Sequence, residues 1–291
     1  MLQLRFIESM PAYRRMPFSR VSLTALGAGQ ASRIVSDDFL WMGIAGVSTS
    51  DLYKVKFYDE DRNEYIPAGD RFVYSETMIG TGQRPFYFPC PRLLRRNQTV
   101  KVFLEDLSGL PNDVQIVLIG LLVDKVVGET WGKPFMGYQS FTNDNLVWTI
   151  PAASYSVQQI PMIQAFDWAW GSLTGKVMSS GGTPGKLLEM KVNDPMGCSR
   201  DPSVTISGYP VDDEPVIYET AVGVATFPHW AFGPYPFLAE GQIVVEFTNL
   251  DPANDIDVNL VFHGGKLPRN DPSLMRRTID WMNRAAVKAA R

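Results

Sequence analysis

The sequence predicts an all-β fold: two tandem antiparallel β-sandwiches of jelly-roll type, joined to a C-terminal α-helix. Three observations predict it. Short β-branched runs recur at about 8–12-residue spacing with no helical pattern between them, which suits antiparallel sandwiches and not βαβ units. Turn residues punctuate the runs, with 24 Gly and 21 Pro in 291 residues. The chain also repeats itself: Glu76-Thr77-Met78-Ile79-Gly80 returns as Glu219-Thr220-Ala221-Val222-Gly223, 143 positions later.

That offset carries Pro85 onto Pro228, Pro91 onto Pro234, Leu94 onto Phe237 and Val102 onto Val245. One extra loop residue raises it to 144, so that Asp113-Val114 meets Asp257-Val258 and Gly120 meets Gly264. Upstream it falls to 135 for Asp59 and Asp194. It falls again to 129 for Asp38-Phe39-Leu40-Trp41 against Asp167-Trp168-Ala169-Trp170. Every change lies in a Gly/Pro/Asp-rich stretch, where insertions are tolerated. Two unrelated runs of alternation would not align prolines and glycines in order. The series therefore reads as an internal duplication that places Gly80 on Gly223 and Pro91 on Pro234.

Along the chain, residues 1–17 read as an N-terminal arm; Arg5, Arg14, Arg15 and Arg20 read as a solvated lead-in in preference to an interaction arm. Residues 18–123 read as the first sandwich, with strands at 55–58, 99–104 and 113–118 and a hairpin loop at Ser108-Gly109 and Pro111-Asn112. Residues 124–145, containing Trp131, Gly132 and Gly137, read as an ordered linker loop packed across both sandwiches. Residues 146–267 read as the second sandwich, with strands at 243–247 and 258–262 and a loop at 251–255. Residues 268–291 read as an amphipathic helix. Asp271 is a good N-cap, Pro272 suits the first helical position, and neither Gly nor Pro occurs from Leu274 to Arg291. Met275, Ile279, Met282 and Ala286 share one face, flanked by Leu274 and Trp281, while Arg277, Arg284, Lys288 and Arg291 take the other. A helix of about 18 residues is marginal alone in water. The stripe is expected to dock first on a neighbouring subunit, second on its own domain and third on a membrane surface.

Composition narrows the chemistry. A net charge of −4 gives no global electrostatic case for nucleic acid. Two Cys (Cys90 and Cys198) and two His (His229 and His263) exclude a disulfide scaffold, a four-Cys zinc site and a His-rich metal centre. The run Val114 to Val123 is about half a membrane span. The N-terminus lacks the basic-then-apolar order of a signal peptide, so synthesis in a cytoplasm with reduced thiols is expected.

Candidate motifs fail one by one. Asp59, Asp61, Asn63 and Asp70 follow calcium-loop spacing, but Glu64 stands where the turn needs Gly, and the bidentate Glu is missing. A phosphate loop at Gly181–Lys186 lacks its first Gly, and Leu187 replaces the metal-holding Ser/Thr. Neither His lies near a nucleophile elbow, and the repeat sets apolar Phe86 and Ile119 opposite them, so both read as packed residues. Cys90, between two prolines, reads as a small residue at a turn. Arg92, Arg95 and Arg96 form a basic patch without a counterpart in the second copy, which suits a salt-bridged protein interface. No catalytic, cofactor or metal residue is nominated, and no cofactor is expected. Large aromatics on loops and the helix stripe are the interface candidates: Trp131, Trp230, Phe232, Tyr235, Met275, Ile279, Trp281 and Met282. The interface is expected on loops, linker and termini, because each sandwich needs its inner faces for its own core.

Over about Ser19 to Leu267, this arrangement resembles bacteriophage virion structural proteins. It is similar to double-jelly-roll capsid proteins, in which two jelly rolls per chain make a trimer pseudo-hexagonal. It also looks like the tandem β-sandwich decoration, collar and tail proteins of tailed phages. The resemblance implies a non-enzymatic virion component, made in the host cytoplasm, whose partners are copies of itself and other virion proteins. One departure is that the terminal helix, which in such shell proteins faces an inner membrane, is here C-terminal. Two other classes compete with this reading: a tandem carbohydrate-binding module of a host-recognition apparatus, and a β-sandwich enzyme.

Overall fold

The computed structural model describes residues 13–123, 137–162, 166–193, 215–237 and 240–267. In the first half, β1 (Tyr13–Pro17) and β2 (Val21–Leu23) pair in turn with β10 (Asn112–Leu122). Next in that sheet come β4 (Phe39–Ser48) and β8 (Phe86–Leu94). The opposing sheet runs β3 (Ala28–Ile34), β9 (Thr99–Asp106), β5 (Tyr53–Asp59) and β6 (Glu64–Ile66), with β7 (Val73–Tyr74) also on β5. The second half repeats this order. β11 (Tyr138–Thr142) and β12 (Trp148–Ile150) pair with β19 (Ile256–Leu267), followed by β14 (Asp167–Ser179) and β17 (His229–Phe237). Its second sheet is β13 (Tyr155–Pro161), β18 (Gln242–Asn249), β15 (Leu188–Asn193) and β16 (Val216–Ile217). All of these ladders are antiparallel, and each half is a jelly-roll-like sandwich. One-turn helices α1 (Ser75–Met78) and α2 (Tyr218–Ala221) follow β7 and β16.

Alternation builds the cores. Burial on β9 and β5 switches at every residue, so Val100, Val102 and Leu104 face inward with Val55 and Phe57. They meet Trp41, Ile44 and Phe86 from the other sheet. The second core likewise joins Trp168, Trp170 and Phe262 to Val192, Val245 and Phe247.

The halves correspond in register as well as in order. Each inner sheet bulges at the same place, between Trp41 and Gly43 and between Trp170 and Ser172. A buried indole N–H needs an acceptor, and the bulge supplies one. Trp41 Nε1 donates to Gly43 O and Trp170 Nε1 to Ser172 O, both at 2.9 Å. Gly80 forms an isolated parallel bridge with Ala45, as Gly223 does with Thr174. A Cβ at Gly80 would lie 2.2 Å from Phe86 N, and one at Gly223 would lie 2.1 Å from Phe227 O. Gly120 and Gly264 repeat the logic, each 2.0 Å from a backbone oxygen at that position. The matched glycines thus mark the same close backbone approaches in both copies.

Several expectations need correction. The arm 1–17 contains β1, and the linker 124–145 contains β11, each an edge strand of an inner sheet. Cys90 lies inside strand β8, not at a turn, and is fully buried. The helix expected at 268–291 lies outside the described residues. Among those described, no helix is long and apolar enough to cross a membrane.

Candidate assembly interface

The chemistry-bearing residues gather where the two sandwiches meet. The first sandwich contributes β8, the β5–β6 hairpin and α1. The second receives them on the outer face of the β11–β19–β14 sheet. On β19, Phe262 and Leu260 point into their own core, so Val261 and His263 point out, and Val261 packs with the first sandwich's core. Tyr138 of β11 and Ala225 join that same core, while Ala68 from the first half packs into the second core.

His263 is fully buried in this seam. Its Nδ1 lies 2.7 Å from Tyr138 Oη and its Nε2 lies 2.8 Å from Thr174 Oγ1. The Thr174 hydroxyl donates its one proton to Thr77 O at 2.6 Å. It must therefore accept from His263 Nε2–H. In the neutral imidazole that burial favours, Nδ1 accepts from the Tyr138 hydroxyl. Burial pushes His263 down to about 3, against the opposing pull of the Thr77 carbonyl. Phe86 packs on the imidazole at 4.6 Å, and Phe88 stacks on Tyr138 at 3.8 Å.

Beside it lies a buried ionic cluster. Arg92 donates to Asp59 Oδ2 through Nη2 at 2.5 Å and Nε at 3.0 Å, to Glu64 Oε2 at 2.6 Å and to Tyr138 O at 3.2 Å. Asp59 also accepts from Gln98. Glu64 takes Lys266 of the second sandwich on its other oxygen. Burial alone would raise the Glu64 carboxyl, but Arg92 and Lys266 outweigh it and hold it below the usual carboxylate range. Burial brings Lys266 down to about 8, even with Glu64 beside it. At the seam's rim, Lys176 pairs with Glu76 at 3.0 Å and Arg71 pairs with Asp144.

The expected sites sort themselves against this geometry. The basic patch divides: Arg92 enters the seam, whereas Arg95 pairs with Asp38 near the surface. Of the calcium-spaced residues, Asp59 is taken by Arg92, Asp70 by Lys56 and Asn63 by Tyr58. Among the described residues, no group of three or more His, Cys, Asp and Glu could hold a metal ion. Burial pushes the Cys90 thiol up to about 12. The Gly181–Lys186 loop closes in a short 3₁₀ turn and leads into strand β15. His229 sits on β17 opposite Leu173. Trp230, Phe232 and Tyr235 also lie on β17, the counterpart of the seam strand β8, and Trp230 is half-buried. Trp131, Met275, Ile279, Trp281 and Met282 lie outside the described residues. The seam within the chain is carried by a sheet face and a strand edge. His263, Thr174, Tyr138 and Glu64 were not nominated. For His263 and Thr174 the only sequence signal is polarity at positions where the repeat has Ile119 and Ala45.

No family model matches the sequence, and neither does any curated protein. Among solved structures, the chain is similar to one in the atomic structure of Sulfolobus Turreted Icosahedral Virus. Identity is 13%, coverage is 94% of this chain and 98% of that one, and the TM-score is 0.45. A chain described under the triple jelly roll fold and turret assembly of an archaeal virus is 10% identical over 85% of this chain and 59% of its own, with a TM-score of 0.25. PNGF-II matches at 9% identity over 93% and 68%, with a TM-score of 0.34. Likenesses this distant carry nothing about what the chain does.

Proposed function

We propose that the chain is a non-enzymatic structural protein of a virion that associates with copies of itself and with other virion proteins. The tandem of two jelly rolls is the arrangement that the sequence resemblance to such proteins implies. The observation that carries the reading is the directionality of the seam. One sandwich gives a strand edge and a helical turn, and the other receives them on a sheet face. Because the sandwiches are copies, the second also owns a giving edge, β17 with α2 and its following turn. The first likewise owns a receiving face on β4 and β10.

Some of these counterpart positions carry exposed apolar side chains, although Ile119 and Leu121 on β10 are buried. Phe227 (61% exposed), with Arg84 of the first sandwich over one side of its ring at 4.3 Å, and Val224 (40%) sit on the giving turn, and Val47 (65%) sits on the receiving face beside half-buried Val117. A contact of this kind is heterologous, and between identical chains it closes into a ring or extends as a lattice. The same geometry serves a shell, a collar or a decoration. Phage origin and docking of residues 268–291 on a neighbour belong to this proposal. The sugar-binding alternative finds less support. On the outer face of the β5–β9 sheet, Lys56 already lies over Phe72 at 4.4 Å and over Tyr65 and Phe103 at 5.3 Å.

Size-exclusion chromatography with light scattering tests the reading. The expected result is a symmetric oligomer, with Phe227→Glu weakening association on the order of 30-fold (about 2 kcal/mol) while the chain stays folded. A monomer at all micromolar concentrations would overturn it.

A further inference from the structure

We propose that the seam is an acid-labile clasp: the two sandwiches hold as one body at neutral pH and part, each still folded, when acid adds a second proton to His263 and neutralises the Glu64 carboxylate. The clasp lies within one chain and is independent of what that chain assembles with.

The first support is where the buried ionisable groups are. Apart from tyrosines and Cys90, those buried among the described residues are Asp59, Arg92, Asp106, Asp251, His263 and Lys266. Four of the six line the seam. The other two brace loops inside a single sandwich: Asp106 with Ser108 and Asn112, and Asp251 with Ala253 and Asn254. Burial would raise Asp106, but its hydrogen bonds hold it down to about 2, so it stays charged in acid that reaches the seam.

The second support is that His263 has no counter-ion for another proton. β8 faces it with Phe86, β11 with Tyr138 and Ser140, β14 with Ser172 and Thr174, and α1 with the Thr77 carbonyl. No carboxylate is among them, and the nearby Glu76 is paired with Lys176. An imidazolium there would be a buried charge without a counter-ion.

The third support is the wiring of Glu64. It faces Arg92 and Arg62 of its own sandwich and Lys266 of the other, with Asp59 beside Arg92 and Arg62. Lys266 also lies 4.4 Å from the Phe166 ring, and Arg95 adds its field at Arg62. Neutralising Glu64 removes the carboxylate that bridges the sandwiches. Asp59 is then left to answer Arg62, Arg92 and Lys266 together.

The signs agree. His263 titrates near 3 in the closed seam and near its ordinary 6.5 once solvated. The open form therefore binds the extra proton, and opening gains up to tenfold per pH unit as pH falls through that window. Lys266 titrates near 8 closed and near its ordinary 10.5 open, so raising the pH through that range favours closure. From neutral pH downward, then, the titrations of His263 and Glu64 both favour opening, while at alkaline pH the buried Tyr138 phenol, pushed up by burial, adds a separate bias toward opening.

Small-angle scattering and far-UV circular dichroism of the full chain, from pH 7 to 2.5, test this at a concentration where light scattering shows one species. The expected result is a rise in radius of gyration with the strand signal retained. His263→Gln should move that rise at least half a pH unit lower. A clamped form, with Glu76→Cys and Lys176→Cys joined by a short bismaleimide in a Cys198→Ser background, should lose most of the expansion. Three results would each overturn the clasp: no expansion by pH 2.5, loss of strand signal together with expansion, or expansion that survives the clamp.

Discussion

Arg92 has no exposed side-chain surface, yet it carries a full charge at the junction of two sheets. Its guanidinium is satisfied by Asp59, Glu64 and the Tyr138 carbonyl, and the gain from those bonds offsets what desolvation costs. Removing one member leaves the others buried and unanswered. Arg92→Leu is therefore expected to destabilise the chain by about 3–5 kcal/mol in urea unfolding. Arg95→Leu breaks a surface pair with Asp38, its side chain 55% exposed, and should cost about 1 kcal/mol or less. Equal losses would show that the Arg92 cluster is no more than a surface ion pair. In sequence, the two arginines stand three positions apart in one basic patch and look alike. What separates them is position: Arg92 lies on β8 and reaches into the seam, whereas Arg95 lies in the turn past its end and pairs with Asp38 at the surface.

At the scale of elements, the repeat was legible because backbone geometry demanded particular residues. Gly80 and Gly223 sit where a Cβ would strike the backbone of the following strand, and Trp41 and Trp170 sit where a bulge frees a carbonyl. Gly80→Ala and Gly223→Ala should each cost about 1–3 kcal/mol through overpacking. Gly82→Ala, with nothing within 4 Å of its Cβ position, should be close to neutral. A neutral Gly223→Ala beside a costly Gly80→Ala would show that the two close approaches are not equivalent. β1 and β11 were not legible. Tyr13–Pro17 carries two arginines on an edge, and Tyr138–Thr142 is buried on every residue with three hydroxyls among them. A strand that presses polar groups into a neighbouring sandwich shows no alternation of apolar and polar residues, so it reads as a loop. The seam escaped for the same reason: its hydroxyls and charges look solvent-facing until the other sandwich is set against them.

For the whole molecule, the decisive question is whether two sandwiches make one cooperative unit or two. Tandem domains joined by a small polar contact unfold separately, whereas a buried interface continuous with the cores couples them. Here the first core takes in Tyr138, Ala225 and Val261 from the second half, and the second takes in Ala68 from the first. Backbone hydrogen bonds cross as well, from Ala225 to Glu76 and from Ala68 to Ser140, both at 2.9 Å. Unfolding one sandwich would strip the other of core contacts and expose Arg92, His263 and Lys266 without their partners. At pH 7, calorimetry should therefore show a single transition whose calorimetric and van't Hoff enthalpies agree. Arg92→Leu removes the central bond of the seam without touching the interior of the second core. It should split the trace into two transitions, with the second sandwich, whose buried core clusters around Trp168, Trp170 and Phe262, melting apart from the first. Two resolved transitions in the unaltered chain at pH 7 would show that the seam holds the sandwiches in place without coupling their stability.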